Sequence, residues 1–159
     1  MRVENAQCVC KENCIVNSDQ SNFSVYGQET NYRLVNSKRL LISKYIVDDC
    51  LLRGVKDEEK CDYFFVVNTG VTFKVKNETK TICDGYFVEL KGSDVIKAIS
   101  QVSKSIDRLK ENVNGNLFGR IVPTKVGVPE IRTIVSYKNL YKKLNGNLIV
   151  KNTLCVDNV

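Results

Sequence analysis

The chain has 159 residues, 43% hydrophobic and 26% charged, which is enough for one hydrophobic core and short of two. It contains no histidine, which excludes Ser-His-Asp and Cys-His catalysis and every histidine-containing metal site. Its formal net charge of +6 is a bias toward polyanionic partners, because Lys and Arg neutralise phosphates, although a solvated basic surface has the same composition.

The first residues, Met1, Arg2, Val3, Glu4 and Asn5, are mixed and polar and lack the apolar stretch of a secretory signal, so the expected compartment is the cytoplasm. No run approaches the length of about 20 apolar residues that a membrane span requires. The seven cysteines, Cys8, Cys10, Cys14, Cys50, Cys61, Cys83 and Cys155, are an odd number without a secretory context, which predicts reduced thiols rather than a disulfide framework. Cys8, Cys10 and Cys14 could ligate zinc if a fourth thiolate such as Cys50 came near, but their spacing is not the usual paired C-x2-4-C pattern.

Residues 1–36 are rich in Asn, Ser, Gln and Cys without a sustained period, and read as loops with a short strand at Phe23, Ser24, Val25 and Tyr26. The second half of the apolar segment 40–52 reads as a strand, and the polar run 56–60 as a turn. Residues 62–67 and the alternating 71–75 read as strands around a turn at Asn68, Thr69 and Gly70, which predicts a hairpin. A polar loop through 77–80 precedes another strand over 86–91, stopped by Gly92. Ser93 then suits a helix N-cap, with Asp94 near the positive end of the helix dipole. Val95, Ala98, Ile99, Val102, Ile106 and Leu109 form one apolar stripe, and Lys97, Gln101, Lys104 and Arg108 line a different face. A strand over 117–122 ends at Pro123, a second helix spans 131–144 and closes at Gly146, and 148–151 is a final strand. From residue 45 the order β-β-β-β-α-β-α-β predicts an α/β protein, a mixed β-sheet flanked by helices, in one domain over 1–159 with its core at 45–122. Phe64, Phe65, Phe73 and Phe87 are expected in that core.

Residues two apart on a strand share a face, so Glu89 and Lys91 emerge together while Leu90 points into the opposite layer. Asp62 stands just ahead of its own strand, and the hairpin lets the two strands lie side by side. Two carboxylates could then face one Mg²⁺, an oxygen-seeking cation typically held by one or two carboxylates, with the Leu90 carbonyl as a natural third ligand. Lys91 is placed to position an attacking water or to stabilise negative charge in a phosphoryl-transfer transition state.

Asp62-x26-Glu89-Leu90-Lys91, with the Asp before one strand, Glu-x-Lys inside the next and an amphipathic helix directly after, resembles the PD-(D/E)xK, restriction-endonuclease-like nuclease superfamily, in particular its small bacterial resolvase-like and RecB-like members. The resemblance covers about residues 45–122. It implies a restriction-endonuclease-like fold, dependence on Mg²⁺ or Mn²⁺, and hydrolysis of phosphodiester bonds in DNA or, less often, RNA, with Asp62 and Glu89 on the metal, Lys91 assisting the water, and Gln101 in the place of the helix glutamine that often assists in such families. Cys61 stands where many members have proline. The first helix, which in many relatives carries a further acid, has no counterpart upstream of residue 45, so Asp48, Asp49 and Glu29 are the substitutes in sequence.

On this reading Lys97, Lys104 and Arg108 would touch phosphates, and a homodimer would let both strands of a duplex be cut. Arg132, Lys138, Lys142 and Lys143 form a second basic group, read as a solvated face. Two other classes compete with the enzyme: a nuclease-fold protein without catalysis that binds nucleic acid or a protein partner, and a zinc or thiol module centred on Cys8, Cys10 and Cys14.

Overall fold

The computed structural model describes residues 14–53, 55, 59–125 and 128–159, with the side chains of residues 49, 128 and 129 excepted. Cys8 and Cys10 lie outside the described residues. The chain is a mixed α/β protein of two sheets and helices, dominated by strands.

The larger sheet contains β1 (Ile15–Ser18), β4 (Ile42–Ile46), β5 (Tyr63–Val75), β6 (Glu78–Lys91), β7 (Leu117–Pro123) and β8 (Leu148–Val150), side by side in that order. Strands β4, β5 and β6 form an antiparallel meander, and β7 then lies parallel to β6. A parallel neighbour requires a crossover, supplied here by α1 (Val95–Leu109). Strand β8 follows parallel to β7 through a single helical turn, α2 (Val128–Ile131), and α3 (Val135–Lys143). The smaller sheet pairs β2 (Asn22–Tyr26) antiparallel to β3 (Asn31–Val35), and β3 parallel to β9 (Leu154–Asn158).

Three layers result, because each face of the larger sheet buries a different apolar set. Phe64, Val66 and Phe87 pack with the stripe Val95, Ala98, Ile99, Val102, Ile106 and Leu109 of α1, as the helical period predicts. Phe65, Val67, Tyr86 and Val88 face the smaller sheet through Phe23, Val25, Tyr32 and Leu34. Both faces of β5 and β6 are therefore covered, and their core segments are nearly continuous apolar runs. The sheet-to-sheet layer also holds an ion pair: Arg120 on β7, only 4% exposed, makes bonds of 2.7 and 3.0 Å to Asp157 on β9, which also accepts from the Tyr32 hydroxyl at 2.9 Å.

Several sequence expectations are corrected. Residues 15–35 hold three strands where loops and one strand were expected, since β3 and β9 pair across more than a hundred residues and neither is persuasive alone. Within 40–52 the strand is the first half. Pairing with β5 ends at Ile46 opposite Tyr63, the Val47 amide bonds the Asp62 carbonyl, and residues Val47–Leu51 coil into a π-helical turn. Strand β5 runs unbroken through Asn68, Thr69 and Gly70, which form a bulge with Gly70 at φ +76°, and the hairpin turns at Lys76 and Asn77, both with positive φ. Phe73 is consequently exposed on the projecting arm instead of in the core. Asp94, not Ser93, caps α1, accepting from the Lys97 amide at 3.0 Å. The single helix expected over 131–144 is broken, because Ile134 is extended.

The sulfur atoms of Cys14 and Cys50 form a disulfide, contrary to the expectation of reduced thiols throughout, whereas Cys61, Cys83 and Cys155 are buried thiols outside that bridge. No helix among the described residues is long and apolar enough to cross a membrane.

Candidate active site

Strand β6 carries Glu89 and Lys91 to its C-terminal end, and the antiparallel register brings the start of β5, preceded by Asp62, beside them. The Asp62 amide donates to Glu89 Oε2 at 3.1 Å, and the Leu90 amide donates to Asp62 Oδ2 at 2.8 Å. Each carboxylate is thus held by the backbone that carries the other. Lys91 Nζ lies 3.9 Å from Glu89 Oε1 and donates to Gln101 Oε1 at 3.1 Å. The side-chain amide of Gln101 donates onward to the Lys60 carbonyl at 3.0 Å. Asp62, Glu89, Lys91 and Gln101 therefore converge as one bonded group.

Helix α1 holds the chain entering β5 at two points. Gln101 takes the Lys60 carbonyl, and the fully buried Ser105, one turn further on, accepts from the Cys61 amide at 2.8 Å. Residues four apart share a helix face, so this spacing lets one helix grip two successive residues just before Asp62. Ser105 was not anticipated; its position four residues after Gln101, among apolar neighbours, was the available signal.

Glu89 is 2% exposed, and its carboxyl is pushed up to about 9, first by burial and then by the charge of Asp62, with Lys91 and the Asp62 amide opposing. Asp48, on the π-helical turn, adds to the upward push and pairs with Lys60 at 3.6 Å. Among the described side chains of the three substitutes for an upstream acid, Asp48 is thus the one whose charge reaches Glu89. Glu29 is exposed on the β2–β3 turn, and the Asp49 side chain lies outside the described residues.

A cation fits this donor set. Two hard oxygen donors share one strand end, and a bound cation would oppose the burial and the Asp62 charge that keep Glu89 neutral at ordinary pH. The N–H and C=O of one strand residue point to the same side, so the Leu90 carbonyl is directed toward the side where its amide meets Asp62. Among the described residues no group of three or more Cys, Asp and Glu side chains is arranged to hold a metal, so the carbonyl and water would have to complete the shell.

Lys97, Lys104 and Arg108 do not join this group. All three are exposed on α1, and Lys104 pairs with Glu59 at 3.3 Å. Glu59 is held below the usual carboxylate range by the Ser100 hydroxyl and then by Lys104 and Lys97. Gln101 separates from these cations, since it is buried on the side facing β6.

No family model, curated protein or solved structure matches the chain.

Proposed function

We propose that the protein is a metal-dependent nuclease of the restriction-endonuclease-like type, hydrolysing phosphodiester bonds in DNA. The observation that carries this reading is the bonded convergence of Asp62, Glu89, Lys91 and Gln101 at the end of a β-meander whose last strand leads directly into the crossover helix. Such a group costs stability where it stands, because an acid pair is desolvated at the edge of an apolar core, and functional sites are where such costs are tolerated.

Asp62, Glu89 and the Leu90 carbonyl would hold one Mg²⁺ or Mn²⁺, which when bound supplies a Lewis acid for the phosphoryl oxygens. The chain itself does the positioning. Gln101 fixes the Lys91 ammonium, which orients the attacking water and offsets negative charge as the phosphorus becomes five-coordinate. The exposed cations Lys97, Lys104 and Arg108 supply sequence-independent phosphate contacts along α1, with the salt dependence that follows.

The test is incubation of purified protein with plasmid, single-stranded DNA and RNA in Mg²⁺ or Mn²⁺. Wild type is expected to cut, and Asp62→Asn, Glu89→Ala and Lys91→Ala to lose at least about 100-fold in rate. Equal behaviour of wild type and Glu89→Ala on every substrate overturns the proposal.

A further inference from the structure

Between α3 and the outer strand β8 lies a pocket of about 500 Å³, lined by Arg132, Tyr137, Lys138, Tyr141, Gly146 and Leu148. That volume is in the range of small-molecule sites. Its floor is apolar and flat: Tyr137 and Tyr141 sit one helical turn apart with ring centroids separated by 6.0 Å and planes 21° apart, beside the buried Leu148. Tyr137 is nearly buried, whereas Tyr141 is 46% exposed. Gly146 keeps the pocket open at its far end. It sits at φ +87°, and a Cβ there would lie 3.2 Å from the Tyr141 hydroxyl oxygen.

The rim is cationic. Between residues 131 and 156 the chain carries five Lys and Arg and no Asp or Glu. Lys143 is committed elsewhere, to Asp107 at 2.7 Å and to Ser103. Arg132 and Lys138, the two cations on the pocket, make no ion pair or side-chain hydrogen bond among the described residues. A ring face beside two uncommitted cations matches a flat aromatic group carrying a phosphate.

The parallel registers, Leu148 opposite Gly119 and Lys91 opposite Pro123, set the Gly146 and Leu148 side of the pocket toward the other end of the strands from Lys91.

We propose that this pocket binds an unpaired nucleotide of a nucleic-acid strand, its base against Tyr141 and its phosphate between Arg132 and Lys138. The inference rests on the nuclease reading for the identity of the ligand, but not on catalysis. It makes the protein a reader of unpaired nucleotides at a place apart from the cleavage site, because a base inside a duplex cannot reach a side pocket.

The experiment is fluorescence anisotropy without divalent metal, using fluorescein-labelled single-stranded oligothymidylate and a blunt duplex of equal length. Wild type should bind the single strand more tightly. Tyr141→Ala should weaken that binding on the order of 10-fold, Tyr141→Phe should keep it, and Arg132→Ala with Lys138→Ala should weaken it and flatten its salt dependence. Duplex affinity should change little in every variant. Because Tyr141 is half-exposed, unchanged melting of Tyr141→Ala separates loss of binding from loss of fold. The proposal fails if Tyr141→Ala binds the single strand as wild type does, or if Tyr141→Phe is as defective as Tyr141→Ala. Asp62→Asn should bind normally, so an absence of nuclease activity and an absence of this subsite give different results.

Discussion

The Asp62 amide donates to Glu89 Oε2 at 3.1 Å, and the residue after Glu89 returns a bond of 2.8 Å to Asp62 Oδ2. Glu89 is buried and Asp62 partly so, and each acid accepts a bond from the main chain beside the other. The arrangement fixes their geometry, and the burial of Glu89, followed by the charge of Asp62, drives its carboxyl up to about 9.

That shift sets a pH dependence. In the unfolded chain Glu89 titrates near its ordinary value of 4.5, and in the fold near 9, so between these values the folded state keeps a proton that the unfolded state has lost. The stability from this group is complete below pH 4.5 and is lost as pH rises toward 9. Glu89→Gln, which stays neutral, should melt like wild type near pH 4.5 and roughly 4 °C or more above it at pH 8. Millimolar Mg²⁺ should raise the melting temperature of wild type at pH 8 and leave Glu89→Gln unmoved. A Glu89→Gln protein that melts below wild type at pH 8 contradicts this account.

Ser105 accepts from the buried Cys61 amide beside the site, so Ser105→Ala leaves that amide without its partner, at a cost of about 1–3 kcal/mol. If Ser105 positions Asp62, kcat for cleavage should fall about 10-fold with KM unchanged. Steady-state kinetics below the melting transition decide it: loss of stability with wild-type kcat would reduce Ser105 to a structural role.

Arg120 and Asp157 tie the two sheets together inside the protein. Asp157→Ala strands a buried guanidinium and should cost about 3–5 kcal/mol in urea unfolding, while Arg120→Met in the same background should recover much of it. Equal stability of the single and double variants would show that the pair is not coupled.

Cys14 and Cys50 close 36 residues of chain, and Cys50 belongs to the π-helical turn that carries Asp48. Reduction should lower stability by about 2–4 kcal/mol, and Cys50→Ser should show the same loss with no response to reductant. A non-reducing peptide map that lacks the Cys14–Cys50 linked pair would exclude the bridge.

The strand that carries Glu89 and Lys91 was legible because its information is local. Parity along β6 puts Glu89 and Lys91 on one face whatever surrounds them, and the stripe on α1 follows from the helical period. The extent of β5 was less legible, since Asn68, Thr69 and Gly70 have turn chemistry yet are drawn into a bulge by pairing with β6, so that Thr69 bonds the Ile82 carbonyl. Gln101 was singled out through a resemblance but grouped with the wrong neighbours, because a face of charged residues and a buried amide are alike in a helical projection.

The sequence by itself determined which residues could face one another along a single element: the acid and the lysine two apart on β6, the helix that follows, and the absence of histidine chemistry. Only the tertiary structure decided what meets across elements. Its contributions are the smaller sheet closed by β9, the disulfide between Cys14 and Cys50, the charge of Asp48 reaching Glu89, and the grip of Ser105 on the chain before Asp62. The physical reason is range. Backbone geometry repeats every two or 3.6 residues and can be counted, whereas contacts between distant segments are selected by burial and hydrogen bonding summed over the whole fold.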